Sequence, residues 1–256
     1  MGHLDLFAIH QQSGTGGTHA RKALITGCQV IDNGVGTLDF VGEVYAAGTV
    51  KVGVVQRGQV QNGGSGCDVT TDVPAHAVGN NSNNILTGNE GRNRLNSGRG
   101  DDTVYGMGGN DNLNGGDGND YLDGGDGNDA INGDAGADIL VGGKGKDILK
   151  GGAGNDTYIY GDNDTIIDNQ GINTLKFSDG LNNAKLNLKT IHNDDGSQSW
   201  EITSEQGSAL IQNQIGADGS ISIDRFQFND QTYTATQFQQ AFQPVKAETI
   251  KFAGTD

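Results

Sequence analysis

The chain has 256 residues and a formal net charge of −16 at pH 7, which excludes a surface that attracts nucleic acid or an anionic membrane and favours cations. Glycine supplies 44 residues and apolar side chains only 33%, too little for a conventional close-packed core along the whole length. No run approaches the roughly 20 apolar residues that span a bilayer, so no transmembrane segment is expected.

The opening "MGHLDLFAIHQQSGTGG" lacks a basic leader and a long apolar run, so no cleaved Sec-type signal is expected. His3, His10 and His19 are scattered as exposed histidines usually are, and no zinc site is read from them. Residues 1–78 form a β-rich N-terminal segment. "KALITGCQVIDNGVG" and "VKVGVVQRGQVQNGGSG" are short apolar runs closed by turn signals. Their recurrence weakly resembles coils of the parallel β-helix of polysaccharide lyases and epimerases; ordinary hairpins fit equally. Cys28 and Cys67 are too few for a disulfide framework and fit either a pair or two small buried side chains. "DVTTDVPAHAVGN", with Pro74, marks a junction.

From Gly79 the chain divides without gaps into blocks of nine, among them "GGDGNDYLD", "GGDGNDAIN" and "GGKGKDILK". The sixth place reads Asn84, Asn93, Asp102, Asp111, Asp120, Asp129, Asp138, Asp147, Asp156, and the eighth Leu86, Leu95, Val104, Leu113, Leu122, Ile131, Leu140, Leu149, Tyr158. One polar and one apolar column stay in phase throughout. Glycine permits tight turns at positive φ, so G-G-x-G-x-D reads as a turn and x-U-x as a short strand whose middle residue points inward. Two blocks make an eighteen-residue coil, and coils stack into a parallel β-roll. One apolar side chain per block buries too little to offset the ordering of a glycine-rich backbone. The isolated repeat should therefore be disordered without a ligand.

The pattern G-G-x-G-x-D-x-U-x resembles the RTX (haemolysin-type) calcium-binding nonapeptide repeat over roughly residues 79–168. The resemblance implies an all-β fold: a β-roll solenoid between the β-rich N-terminal segment and a C-terminal β-hairpin-rich cap, residues 169–256. It places Ca2+ between turns on the same edge, hence two blocks apart, with carboxylates and turn carbonyls as hard oxygen ligands. The implied carboxylates are Asp102, Asp120, Asp138 and Asp156 along one edge and Asp111, Asp129 and Asp147 along the other. The implied turn glycines are Gly98, Gly100, Gly106, Gly109, Gly115, Gly118, Gly124, Gly127, Gly133, Gly136, Gly142, Gly145, Gly151 and Gly154. Adjacent pairs give about five ions or more, with weaker binding at the uncharged Asn84 and Asn93 ends. Asp117, Asp123, Asp126 and Asp134 fall outside the column and read as solvated charges.

The same residues fit other sites poorly. No EF-hand loop ends in its glutamate, and "GGKGKDIL" is not a phosphate-binding loop. The seventh places carry no threonine array of an ice-binding roll. Neither H-E-x-x-H nor G-x-S-x-G occurs, so no catalytic residue is assigned.

Beyond the repeats, "LNLKTIH", "QSWEITS" and "SALIQNQ" read as strands, with Trp200 a packing residue, and "DRFQFNDQTYTATQFQQAF" as a hairpin followed by a short helix. The resemblance further implies a secreted bacterial protein, exported by type I secretion machinery under an uncleaved C-terminal signal. "KAETIKFAGTD" gives no sharp match to one. The expected function is a calcium-binding module that folds outside the cell and stabilises the secreted protein. The alternative is the C-terminal part of a polysaccharide-modifying enzyme, an alginate epimerase or lyase, with polysaccharide as a partner.

Overall fold

The computed structural model describes residues 77–178, 186–229 and 231–242 in full. Upstream it describes, as backbone, the strands Lys22–Ile25, Cys28–Asp32, Leu38–Phe40, Gly48–Val52, Gln59–Gln61, Cys67–Thr71 and His76–Val78. The expectations for His3, His10 and His19, for pairing of Cys28 with Cys67, and for "KAETIKFAGTD" lie outside the described residues.

Each repeat contributes one strand, and alternate repeats enter opposite sheets. Asn112–Asp117, Ala130–Ala135 and Ile148–Ala153 run side by side in one sheet, and Tyr121–Asp126 and Ile139–Lys144 in the other. All these neighbours are parallel, with partners eighteen residues apart such as Leu113↔Ile131 and Leu122↔Leu140. The two sheets enclose the eighth-position column: Leu86, Leu95, Val104, Leu113, Leu122, Ile131, Leu140, Leu149 and Tyr158 are all buried. This is the expected β-roll.

The division between strand and turn differs from the expected one. Strands such as Tyr121–Asp126 hold six residues, running from the seventh place of one block to the third of the next, and only G-x-D remains as turn. The leading glycines thus lie inside the ladder, as in Gly116↔Gly98 and Gly125↔Gly143. A ladder hydrogen bond requires backbone only, so residues with no side chain to pack still extend the strand. Alternation along these strands turns the sixth, eighth and first places inward: a carboxylate, an aliphatic side chain and a glycine.

After Asp156 the offset falls from eighteen to seventeen, with Leu149↔Ile166 and Tyr158↔Leu175 in register. The turn before Asp164 is one residue short, since Asn163, at φ +64°, takes the place of the turn glycine and Asp164 follows at once. The apolar column nevertheless continues through Ile166 and Leu175. Upstream, parallel pairing runs through Cys67–Thr71 to Gly48–Val52 in one sheet. In the other it runs through His76–Val78 and Gln59–Gln61 to Leu38–Phe40. Among the described upstream strands, antiparallel pairing joins Lys22–Ile25 to Cys28–Asp32 and Cys28–Asp32 to Leu38–Phe40.

Downstream, both sheets pass into a conventional core. Gly207–Ile215 pairs parallel to Asp164–Ile167 and antiparallel to Gln198–Ser204, which pairs in turn with Asn187–His192. Arg225–Gln227 extends the second sheet beside Thr174–Lys176 and forms the expected hairpin with Thr232–Thr234. The helix Ala235–Phe242 follows, its start fixed by Thr234 and Gln237 in a reciprocal cap. Phe238 stacks on Phe226 at 4.1 Å, Phe177 stacks on Phe228 at 4.4 Å, and Trp200 is fully buried against this cluster. Trp200 packs strands, as its sequence context suggests.

Met107 stands at φ +79° and is exposed, in the second place where Gly98, Gly116 and Gly125 provide glycine at φ +106°, +112° and +93°. Met107→Gly is expected to stabilise the folded chain by about 0.5–1 kcal/mol, the left-handed penalty less part of glycine's entropy. Scanning calorimetry reads this as a raised midpoint; a lowered one contradicts it.

Candidate metal centres

The inward turn of the sixth place puts seven aspartates inside the roll. Asp102, Asp111, Asp120, Asp129, Asp138, Asp147 and Asp156 are each no more than 3% exposed. Every one is hooked to the coil before it by one carboxylate oxygen. Along the first edge the backbone N–H groups of Asn84, Asp102, Asp120 and Asp138 donate to Oδ1 of Asp102, Asp120, Asp138 and Asp156, at 2.6, 2.8, 2.8 and 2.9 Å. Along the second edge Asn93, Asp111 and Asp129 donate to Oδ1 of Asp111, Asp129 and Asp147 at 2.6, 2.7 and 2.8 Å. The two edges are those given by the eighteen-residue spacing.

The other oxygen, Oδ2, has no hydrogen-bond partner in any of the seven, although it is fully buried. In six of the seven it lies over the first-position glycine five residues earlier; before Asp102 that place is held by buried Ser97. A Cβ placed on Gly106 would sit 2.6 Å from Asp111 Oδ2, and Gly115, Gly124, Gly133 and Gly151 stand in the same relation to Asp120, Asp129, Asp138 and Asp156. The Cβ on Gly115, Gly124 or Gly133 would also meet the carbonyl of Gly133, Gly142 or Gly151, at 2.9, 2.6 and 2.7 Å. A bare carboxylate oxygen and a carbonyl oxygen therefore converge at Gly106, Gly115, Gly124 and Gly133, while at Gly151 the Tyr158 hydroxyl takes the carbonyl's place. Gly106, Gly115, Gly124, Gly133, Gly142 and Gly151 keep ordinary φ, so their requirement is space rather than a left-handed backbone. The turn is made instead by the fourth-position set Gly100, Gly109, Gly118, Gly127, Gly136, Gly145 and Gly154, with φ from +99° to +144°.

Among the described residues, no three His, Cys, Asp or Glu side chains gather at one point. The centres instead combine carboxylates with backbone carbonyls, an all-oxygen donor set that suits a hard cation such as calcium and offers nothing to a soft one. Orphaned anionic oxygens in an interior without a counter-charge are what such an ion would satisfy, so the residues fit it. Asn93 is buried, and its amide donates to Asp111 Oδ1 at 3.2 Å and to Gly91 O at 2.5 Å, presenting a donor where the aspartates present an anion.

Outside the column, Asp117 and Asp126 are exposed and pair with Arg99 and Lys144 at 3.1 and 2.9 Å, and Asp134 is exposed. Asp123 is not a plain solvated charge: it is half-buried beside the Tyr121 hydroxyl, and burial pushes its carboxyl above the usual range.

Three inward residues lie past the regular blocks. Asp164, 2% exposed, takes the sixth place in the shortened block "YGDNDTII". Asn173 and Asp168 take the sixth and first places of "DNQGINTLK". Asn173 Oδ1 accepts the Asp156 N–H at 2.9 Å, and Asp168 accepts the Tyr158 hydroxyl. Allowing an eight-residue block would have kept these positions in phase.

Residues 78–113, 105–140 and 132–167 match the RTX calcium-binding nonapeptide repeat, a family of four-copy units. No curated protein matches the chain. Residues 78–167 thus belong to the RTX calcium-binding repeats, and this part of the chain is a calcium-binding module.

Burial lifts the metal-free carboxyls, to about 6 at Asp102, Asp120 and Asp156 and to about 7 at Asp129 and Asp138, from an ordinary 3.8. A raised folded-state value stabilises the metal-free fold fully below the unfolded value near 3.8 and loses that contribution as pH rises through about 6–7. In chelator, circular dichroism should show more β structure at pH 5 than at pH 8. Calcium binding should strengthen over the same interval and release protons, seen by calorimetry in buffers of different ionisation enthalpy.

Proposed function

We propose that the chain is the calcium-folded part of a secreted protein, with calcium as the ligand that orders the roll outside the cell. The observation that carries this reading is the pair of ladders of buried aspartates, each with one oxygen tied to backbone and one bare. The ligands are Asp102, Asp120, Asp138 and Asp156 on one edge and Asp111, Asp129 and Asp147 on the other, with first-position glycine carbonyls completing the shells. Adjacent pairs give about five ions, with weaker sites toward Asn84 and Asn93.

Mass action then makes the fold sensitive to compartment. Extracellular modules bind calcium with Kd of about 10⁻⁴–10⁻³ M. At millimolar calcium and the tighter end of that range, each site adds about 1.4 kcal/mol. A handful of sites thus supplies stability comparable to that of a small domain, about 5 kcal/mol or more. At sub-micromolar calcium the same sites add almost nothing. The chain would cross a type I secretion channel unfolded and fold on emergence.

A second reading draws on the parallel strands that precede the repeats, Gly48–Val52 beside Cys67–Thr71 and Gln59–Gln61 beside His76–Val78. They are the pairing expected if the module ends a β-helical polysaccharide epimerase or lyase. Binding of the chain to alginate or pectin, measured by calorimetry in calcium, separates this reading from a plain folding module.

Excess chelator at pH 7.5 should abolish most of the β signal of the repeats in circular dichroism; an unchanged spectrum contradicts the proposal. Asp120→Ala or Asp129→Ala should weaken the calcium response several-fold, and Asp117→Ala, at an exposed ion pair, should leave it unchanged. Equal effects would show that the ligand column is misassigned.

A further inference from the structure

The two edges of the roll end differently. On the first, the ladder closes on a neutral side chain with every polar group in use. Asn173 Oδ1 accepts from Asp156 N–H, and its Nδ2 donates to Gln170 O at 2.9 Å and Ser222 O at 3.0 Å. Its own N–H donates to Asp224 Oδ2 at 2.8 Å. On the second edge the ladder ends on Asp164, a buried carboxyl that faces the Asp147 carboxyl with no buried cationic side chain among the described residues. Asp164 is 2% exposed, and neither of its carboxylate oxygens has a hydrogen-bond partner.

Asp164 also changes the oxygen set of the last turn. At Gly115, Gly124 and Gly133 the incoming aspartate Oδ2 is joined by a glycine carbonyl from two blocks on. At Gly142 that carbonyl is replaced by a second carboxylate: a Cβ there would lie 2.6 Å from Asp147 Oδ2 and 2.9 Å from Asp164 Oδ1. The second Asp164 oxygen turns toward Gly161, 2.7 Å from the equivalent point. The missing turn residue before Asp164 leaves the aspartate inside while its coil stays in register, through Thr165 N–H to Asp147 O at 2.7 Å. Two bare anionic oxygens thus face one buried point, with no described lysine or arginine buried anywhere to answer them.

We propose that Asp147 and Asp164 hold a further divalent cation, calcium, above Gly142, at a site where each carboxylate brings an oxygen with no hydrogen-bond partner, whereas in a regular pair the later aspartate meets the earlier through the Oδ1 that accepts its N–H. This rests on the reading of the inward aspartates as calcium ligands. The regular pairs and this one each bring two carboxylates, so the difference lies in the oxygens: two that share no donor bind the ion more strongly, and this site fills at lower calcium than its neighbours. Its position gives it a second effect. Asp164–Ile167 is the strand on which Gly207–Ile215 pairs, so an ion here fastens the C-terminal sheet to the roll.

The test is calcium stoichiometry of the full chain by equilibrium dialysis, for Asp164→Asn beside Asp162→Asn, an exposed neighbour. Asp164→Asn should bind about one ion fewer and lose the tightest phase of the isotherm, while Asp162→Asn matches the unaltered chain. Unchanged binding by Asp164→Asn, or an equal loss in both variants, overturns the site. Should Asp164→Asn fail to fold, crystals of the unaltered chain grown in CaCl2 decide. An anomalous peak between Asp147 and Asp164 supports the site; peaks along the regular ladders with none there overturn it. No peak at any ladder position overturns the proposed function itself, and this inference with it.

Discussion

The structure depends on a carboxylate that points into a solenoid and has work for only one of its oxygens. Oδ1 of each sixth-position aspartate from Asp102 to Asp156 accepts an N–H from the preceding coil, which fixes the stacking distance and the register. Oδ2 is left in an interior with no donor. Among the described residues no lysine or arginine is buried; Lys144 and Arg99 answer only the exposed Asp126 and Asp117. A buried anion is tolerated when it is neutralised or paired. Two neutralising agents remain: a proton, at the cost of weaker acceptor strength, or a diffusible cation. The direction of the carboxyl shifts says that burial in the metal-free fold favours the proton. The carbonyls that converge on the same point favour the cation.

That constraint accounts for the glycines more fully than turn propensity does. The first-position glycines face inward at ordinary φ and serve by having no Cβ beside the bare oxygen, whereas the fourth-position glycines serve by their positive φ and by leaving room for the carbonyl of the coil before. Two different physical demands converge on one residue type, which is why the sequence looks monotonous where the structure is not. Met107 and Asp134 are the informative exceptions: side chains at φ +79° and +72° in second places, where the glycines of other coils hold positive φ and leave room for the carbonyl of the coil before.

The parallel roll, its apolar column and the division of the aspartates between two edges were all legible, because nine-residue phase plus strand alternation dictates them. The strand length was not, since glycine signals a turn to any propensity argument, yet here it pairs backbone to backbone. Asp164 was not read as inward because a fixed period loses phase at a one-residue deletion. Only the tertiary ladder, with Ile166 opposite Leu149, restores it. The strands of the C-terminal region were visible as local alternation. Their partners were not: Asp164↔Ala209 and Thr174↔Arg225 span 45 and 51 residues, and no local pattern encodes such a closure.

The one-residue shortening also marks where one kind of cohesion gives way to another. Before it, each coil contributes a single aliphatic side chain and a bare carboxylate. At Tyr158 the apolar column gains a hydroxyl, which accepts the Gly151 N–H at 2.7 Å and donates to Asp168, so protein groups occupy the inner space beside Asp156. Beyond it, Asn173 is saturated by neighbours, and Phe177, Phe226, Phe228 and Phe238 stack into a core that needs no ion. A roll whose coils have so little to bury would fray from an uncovered end, because the last coil has a ladder on one side only. Continuing both sheets into an aromatic unit supplies the missing neighbour from a source that does not respond to calcium. The aromatic unit thus has cohesion of its own and is joined to the repeats through Asp164–Ile167, which pairs with Ile148–Ala153 on one side and Gly207–Ile215 on the other.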